Sequence, residues 1–103
     1  MQIEIKEVNR TKTDNPNYFI CHFYQSIITV DSNEYELIFH CIHKDSTSDV
    51  EYAVDPDSTF HQLVQREIKD YDKYCSTVID VCQESVSMAV GNSIADLFSG
   101  LQI

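Results

Sequence analysis

The chain of 103 residues holds only two glycines, Gly91 and Gly100. Loops that cradle phosphates and turns that bind dinucleotides need several glycines close together. In such loops the backbone must approach the phosphates and adopt conformations that other residues resist. A glycine-rich nucleotide-binding motif of either kind is therefore excluded.

Basic residues are also scarce. Seven Lys and Arg stand against 17 Asp and Glu, which gives a net charge of −10, and no Lys or Arg follows Lys73. Phosphate backbones and anionic lipid surfaces repel such a chain. We therefore expect it to bind neither nucleic acid nor a membrane surface directly.

Long hydrophobic runs are missing as well. No segment approaches the roughly 18 apolar residues that a membrane span requires. The N-terminal sequence MQIEIKEVNR alternates charge with isoleucine and lacks the apolar core of a signal peptide. We expect a cytoplasmic protein (in the host cell, if its source is a virus), and hence reduced thiols at Cys21, Cys41, Cys75 and Cys82.

What the sequence does contain predicts one α+β domain over residues 1–103, with a sheet in 1–55 and a helical part in 57–103. A length of 103 residues with 43% hydrophobic content suits a single core. Alternation and β-branched or aromatic content predict an antiparallel sheet of three to four strands. The expected strands are residues 2–8, about 18–30, 35–44 and 50–54, with a polar loop at 10–17 and a turn at 31–34.

The second half has a helical period. Asp57 or Ser58 is expected to cap a helix whose apolar residues recur every three or four positions from Phe60 to Ala89. If this helix continued without a break to Val90, it would be about 50 Å long. A compact domain of this size has a diameter of only about 33 Å. We therefore predict a break at residues 75–77, with packing of the overhang against a second copy as the alternative. Gly91 is expected to end the helix, and a short final helix to begin at Ser93.

The stretch FHCIHKD, residues 39–45, carries the strongest chemical signal. A turn at Ser32–Asn33 would place His22 opposite His43 and bring both onto one face of the hairpin with Cys41. Three such ligands match the count of a zinc site with an open position. The same set suggests a Cys41 nucleophile activated by a histidine, although no third group to orient the histidine can be placed.

A structural interpretation of that face is stronger. It also carries Ile20, Ile28, Leu37 and Phe39, so Cys41 is expected to behave as a small apolar core residue. We therefore predict no metal, no cofactor and no catalytic site, with His22, Cys41 and His43 kept as the candidates for a metal-binding alternative.

Acidic residues cluster between Asp31 and Asp57. Eight of them lie in this interval against the single basic residue Lys44, so it carries −7 of the net charge of −10. Acidic clusters steer cationic partners towards them. The predicted partner-binding residues are Asp45, Asp49, Glu51, Asp55 and Asp57, with Glu34 and Glu36 as a second patch.

These features favour a non-enzymatic protein that binds and inhibits a basic partner, foremost a nucleic-acid-handling enzyme or complex. In size and charge, though in no motif, the chain is similar to viral anti-defence inhibitors, anti-CRISPR proteins among them, to nucleic-acid mimics and to immunity proteins of nuclease toxins. Two alternatives stay open: a homodimer or larger assembly formed through the long helix stripe, and acidity that serves only solubility.

Overall fold

In the computed structural model, residues 1–14, 16–18, 20–44 and 49–101 are described, with side chains described as far as residue 91. Four strands form one antiparallel sheet in the order β1-β2-β3-β4. Their bounds are Ile3–Thr13 (β1), Ile20–Val30 (β2), Asn33–His43 (β3) and Glu51–Val54 (β4). The helices are Thr59–Glu67 (α1) and Tyr71–Leu101 (α2).

The hairpin of β2 and β3 turns one residue earlier than predicted. Its two turn residues are Asp31 and Ser32, with φ angles of 49° and 73°, and Val30 pairs with Asn33. Positive φ at both central residues is the signature of a tight turn whose twist matches that of the flanking strands. The predicted pairing of His22 with His43 is therefore wrong, and His22 pairs with Cys41.

The two central strands nevertheless present the predicted faces. The true register moves each partner by two positions, and the side-chain period of a strand is also two, so every residue keeps its face. Tyr24 accordingly pairs with Phe39 instead of Cys41. Their rings stack with centroids 5.0 Å apart and an interplanar angle of 4°.

The first strand is longer than residues 2–8. It continues to Thr13, pairs with β2 throughout and contains one irregularity between Ile5 and Glu7. The prediction of a loop from Arg10 onwards was wrong because polar Asn9 and Thr11 lie on the solvent side of an edge strand, where polar side chains cost nothing.

The fourth strand pairs with only four residues of β3, and hydroxyl groups continue its hydrogen bonding. Beyond Val54, the Asp55 N–H donates to the Ile38 carbonyl at 2.8 Å. The Ser58 hydroxyl accepts from the Ile38 N–H at 2.9 Å, and the Thr59 hydroxyl accepts from the Glu36 N–H at 2.8 Å. Ser58 is the N-cap of α1, as predicted, but its side chain bonds the sheet and not the helix.

The helical half does break, but earlier than predicted. Ile68 adopts an extended conformation at the end of α1, and α2 begins at Tyr71. Asp70 starts α2, because its carboxylate accepts the Lys73 N–H at 3.2 Å and its carbonyl accepts the Tyr74 N–H at 2.9 Å. This is N-capping geometry, in which a side-chain oxygen satisfies a free N–H of the first turn.

The predicted break at residues 75–77 is absent, and so is the predicted stop at Gly91. The Thr77 hydroxyl donates to the Lys73 carbonyl at 2.8 Å, one turn back, so it is satisfied inside a continuous helix. Gly91 has no positive φ and lies within α2, which continues to Leu101. The short helix is thus the first, and no separate helix begins at Ser93.

The fold class is confirmed as α+β, with a four-stranded antiparallel sheet packed against one long and one short helix. Both helices cover the same face of the sheet. The core joins sheet residues Tyr24, Ile28, Leu37, Phe39 and Cys41 to Phe60, Leu63 and Val64 of α1 and to Val78, Val81, Cys82 and Ala89 of α2. The molecule measures 49 × 34 × 20 Å, and its long dimension matches α2, whose 31 residues span about 46 Å.

Candidate interaction surface

The open face is the side of the sheet opposite the one on which α1 and α2 pack. Directly opposed residues share a face, so the strand registers define rows across it. Starting from the β2–β3 turn, the rows contain Glu4–Thr29–Glu34, Glu7–Ile27–Glu36, Asn9–Gln25–Ile38, Thr11–Phe23–His40–Ala53 and Thr13–Cys21–Ile42–Glu51.

Four glutamates occupy the first two rows, which we call the acidic rows: Glu4, Glu34, Glu7 and Glu36. In each row two glutamates flank one residue of β2, so their backbones are about 10 Å apart at the usual strand spacing. Glu4, Glu7 and Glu34 are exposed, and Glu36 is half-buried. The acidic rows place four carboxylates on a surface about two strand spacings wide.

Lys6 is the basic residue at this end of the face. It lies in the irregularity of β1, and its Nζ is 2.6 Å from the Glu34 Oε1. The pKa of Lys6 is raised by its hydrogen bond to Glu34, by the charge of Glu34 and, to a lesser extent, by the charges of Glu7 and Glu4. One cation therefore lies in the combined field of three carboxylates, and the acidic rows keep a net negative charge.

Two of these four glutamates were missed by sequence reasoning. Glu34 and Glu36 belong to the predicted second patch, whereas Glu4 and Glu7 come from β1, far away in the chain. The alternation of residues 2–8 does signal a strand with charged positions. Only the register of β1 on β2 and of β2 on β3 places its glutamates beside those of β3.

The predicted main patch does not stay together. Asp45 lies outside the described residues. Asp49 is exposed before β4, and Glu51 is at the far end of the open face, where Lys44 Nζ approaches its Oε2 at 3.0 Å. A nearby lysine thus offsets the charge of Glu51.

Asp55 and Asp57 form the turn between β4 and α1. The Asp57 N–H donates to the Asp55 Oδ1 at 2.9 Å, and Asp55 is half-buried. An aspartate that accepts the N–H two residues on stabilises a turn. The Asp55 carboxylate therefore has a structural role, while the Asp57 carboxylate remains exposed.

His22, Cys41 and His43 lie on the helix-covered face, as predicted, with Cys41 in the core. Burial raises the pKa of the Cys41 thiol and lowers the pKa of His22, which the charges of Arg10, His43 and Lys12 lower further. In the part of the chain that the structure describes, no three His, Cys, Asp or Glu side chains form a group that could hold a metal ion. The three candidates therefore share a face without forming a ligand set.

A different cysteine–histidine pair lies on the open face. The Cys21 Sγ is 3.7 Å from the His40 Nδ1. The His40 ring also packs edge-to-face on the Phe23 ring, with centroids 5.2 Å apart. The predicted candidates, His22, Cys41 and His43, did not include either residue of this pair. A thiol–imidazole contact of this length is a weak hydrogen bond.

A shallow cleft of about 240 Å³ opens between β4, α1 and α2. The Tyr74 hydroxyl is 2.6 Å from the Nδ1 of His61, which is half-buried. The remaining lining is Tyr52, Val54, Cys75, Val78 and Ile79. The cleft is mainly apolar and contains one polar pair.

Comparisons with protein-family models, with curated proteins and with solved structures find no match for this chain. Within the described residues, neither helix combines the length and the apolar character that crossing a bilayer requires.

Proposed function

We propose that the protein is a non-enzymatic binding protein whose acidic rows dock onto a cationic surface of another protein. The observation that supports this function is the convergence of Glu4, Glu7, Glu34 and Glu36 from two strands onto one sheet face, opposite the face on which the two described helices pack. Strands hold carboxylates at fixed spacing, so the ordering entropy lost on binding is small. A net charge of −10 adds long-range attraction to a cationic partner.

The foremost class of partner is a nucleic-acid-handling enzyme or complex. Such proteins carry clustered Lys and Arg where they hold the phosphate backbone. Carboxylates that occupy such a groove would exclude the nucleic acid, so binding would inhibit the partner. Electrostatic docking of this kind has a fast association rate that falls as salt rises.

Charge reversal on the open face, with a single reversal on the other side of the sheet as the control, tests this function. The variant Glu7→Lys/Glu36→Lys reverses two carboxylates in one row, while Glu84→Lys reverses an exposed carboxylate on α2, on the opposite side of the sheet. Wild type and both variants are immobilised and exposed to lysate of the native host at low and high salt. The captured proteins are then identified by mass spectrometry.

The expected result is a basic, nucleic-acid-handling protein retained at low salt by wild type and by Glu84→Lys, and lost from Glu7→Lys/Glu36→Lys. Equal retention by the double variant, or retention that high salt leaves unchanged, would contradict the proposal. Circular dichroism of each variant checks that the fold is intact.

A self-assembly function through α2 is the second candidate. Tyr71, Ile79 and Val90 are 76%, 42% and 44% exposed. Ile79 and Val90 lie on one flank of the helix, since they are separated by about three turns. Assembly predicts a dimer or larger species by light scattering at micromolar concentration, which Ile79→Asp/Val90→Asp dissociates. A wild-type monomer would contradict this alternative.

A further inference from the structure

The open face carries more than carboxylates. Five apolar residues of β2 and β3 lie on it, outside the core cluster that packs under the helices, although two of them, Cys21 and Ile42, are buried: Cys21, Phe23, Ile27, Ile38 and Ile42. We call them the apolar strip. When one face of an antiparallel sheet is solvated, its strands normally present polar residues there. Five of the ten residues that β2 and β3 place on the open face are apolar.

The apolar strip begins inside the acidic rows. Ile27 lies directly between Glu7 and Glu36. From there the strip continues through Ile38 to Phe23, which packs edge-to-face on His40. Ile27, Ile38 and Phe23 are half-buried, whereas Cys21 and Ile42 are 5% and 8% exposed. The accessible part of the strip is thus the part nearest the glutamates.

From this arrangement we propose that the open face recognises a basic protein segment that carries an aromatic or large aliphatic side chain among its Lys and Arg residues. The apolar side chain packs on Phe23, Ile38 and Ile27, and the cationic side chains pair with Glu7 and Glu36. This proposal rests on the proposed function and specifies the chemistry of its partner. An apolar centre with a charged margin is the usual arrangement of a protein–protein contact surface.

Charge complementarity favours a cationic protein segment, and not a second copy of the chain, as the occupant of the open face. If two open faces met, the acidic rows of both copies would enter one interface, where like charges repel. A cationic segment instead gains attraction from the same glutamates. The distance along β2 from Ile27 to Phe23 is about 13 Å, so a segment of a few residues can reach both the glutamates and Phe23.

Two synthetic peptides test the proposal. Each has lysines on both sides of a central residue, which is phenylalanine in one peptide and serine in the other. Their affinities are measured by calorimetry for wild type and for Phe23→Ser, with Ile79→Ser on α2 as the matched apolar-to-serine control. Glu7→Lys/Glu36→Lys is measured in parallel to separate the apolar contribution from the charge contribution.

The phenylalanine peptide is expected to bind wild type and Ile79→Ser about tenfold more tightly than the serine peptide. Phe23→Ser should remove that advantage and leave the affinity of the serine peptide within about twofold of wild type. The double charge variant should weaken both peptides.

Equal affinity of the two peptides for wild type, with both weakened by charge reversal, would overturn this proposal and leave the proposed function standing. Failure of both peptides to bind wild type would overturn both. A wild-type dimer that Phe23→Ser dissociates would overturn this proposal by identifying a second copy as the occupant. If Phe23→Ser does not fold, Ile27→Ser replaces it, because Ile27 also lies outside the core.

Discussion

The hydroxyl of Ser58 accepts a hydrogen bond from the Ile38 N–H at 2.9 Å and donates one to the Ile38 carbonyl at 3.2 Å. The Ser58 side chain thereby makes the hydrogen bonds that a neighbouring strand would otherwise make with this edge of β3. Uncovered edges of this kind invite pairing with other chains. The same contact fixes the start of α1 against the sheet.

We expect Ser58→Ala to lower the free energy of unfolding by about 1–3 kcal/mol, because it leaves the Ile38 N–H without its partner, whereas the Ile38 carbonyl keeps the Asp55 N–H. Urea unfolding measures the change. Thr59→Ala is the control, since Thr59 bonds Glu36 in the same way but is exposed, where water replaces the lost hydroxyl. An equal loss in both variants would contradict the role assigned to Ser58.

The start of α2 gives a second prediction. Asp70→Ala removes the side-chain acceptor of the Lys73 N–H and should cost about 1 kcal/mol. Thr77→Ala should cost less or be neutral, because Thr77 lies inside the helix and alanine is the better helix former. Thermal unfolding of both variants decides this. A larger loss for Thr77→Ala would place the helix start near residues 75–77 after all.

Two buried hydroxyls yield a stabilising prediction. Ser26 and Ser85 are fully buried, and neither Oγ has a hydrogen-bond partner among the described residues. Ser85→Ala removes an unsatisfied polar atom and should stabilise the protein by about 1 kcal/mol beyond the effect of helix propensity. The exposed Ser87→Ala on the same helix measures that propensity effect. If Ser85→Ala stabilises no more than Ser87→Ala, the hydroxyl of Ser85 has a partner.

The pH dependence of stability gives a fourth prediction. Burial raises the pKa of the Cys82 thiol to about 12 from its ordinary value of 9.0. Between these values the folded chain holds a proton that the unfolded chain releases. The free energy of unfolding therefore falls as pH rises through this window, by up to about 1.4 kcal/mol per pH unit.

Urea unfolding at pH 8 and at about pH 10.5 tests this for wild type and Cys82→Ala. The variant is less stable at pH 8, because it leaves a small cavity, but it should lose less stability than wild type on going to high pH. Tyr24 also has a raised pKa and remains in both proteins, so its contribution cancels. The difference in slope therefore reports Cys82 together with its effect on the pKa of Tyr52. If the free energy of unfolding falls equally with pH in both proteins, the Cys82 thiol does not contribute to the pH dependence of stability.

The alternation of apolar residues predicted the fold class and the faces of β2 and β3, since face depends only on whether a position is odd or even. It could not fix the turn. A turn at Asp31–Ser32 requires positive φ at two residues that rarely adopt it, and the hydrogen bonding of the whole ladder decides the outcome. The helix break was misplaced for a related reason. Asp70 lies within the stretch that was predicted as one helix up to residues 75–77, and its capping of α2 depends on a side-chain contact that the apolar period does not show.

The candidate surface was only half predictable. Proximity in sequence grouped Glu51 with Asp55 and Asp57, but the fold sends the first to one end of the open face and the others to the turn before α1. Glu4 and Glu7 joined the site only through the strand registers. Electrostatic surfaces combine residues from distant segments, so charge clustering along the chain is an incomplete guide to them.

The most direct test of the central claim is to titrate isotope-labelled protein with an oligolysine peptide at low salt and follow the backbone amide signals by NMR. The account predicts that the largest shifts occur at Glu4, Glu7, Glu34 and Glu36, that they diminish as salt is raised, and that Glu7→Lys/Glu36→Lys abolishes them. Shifts concentrated at Asp49, Asp55 and Asp57 instead, or spread evenly over all exposed carboxylates, would contradict it.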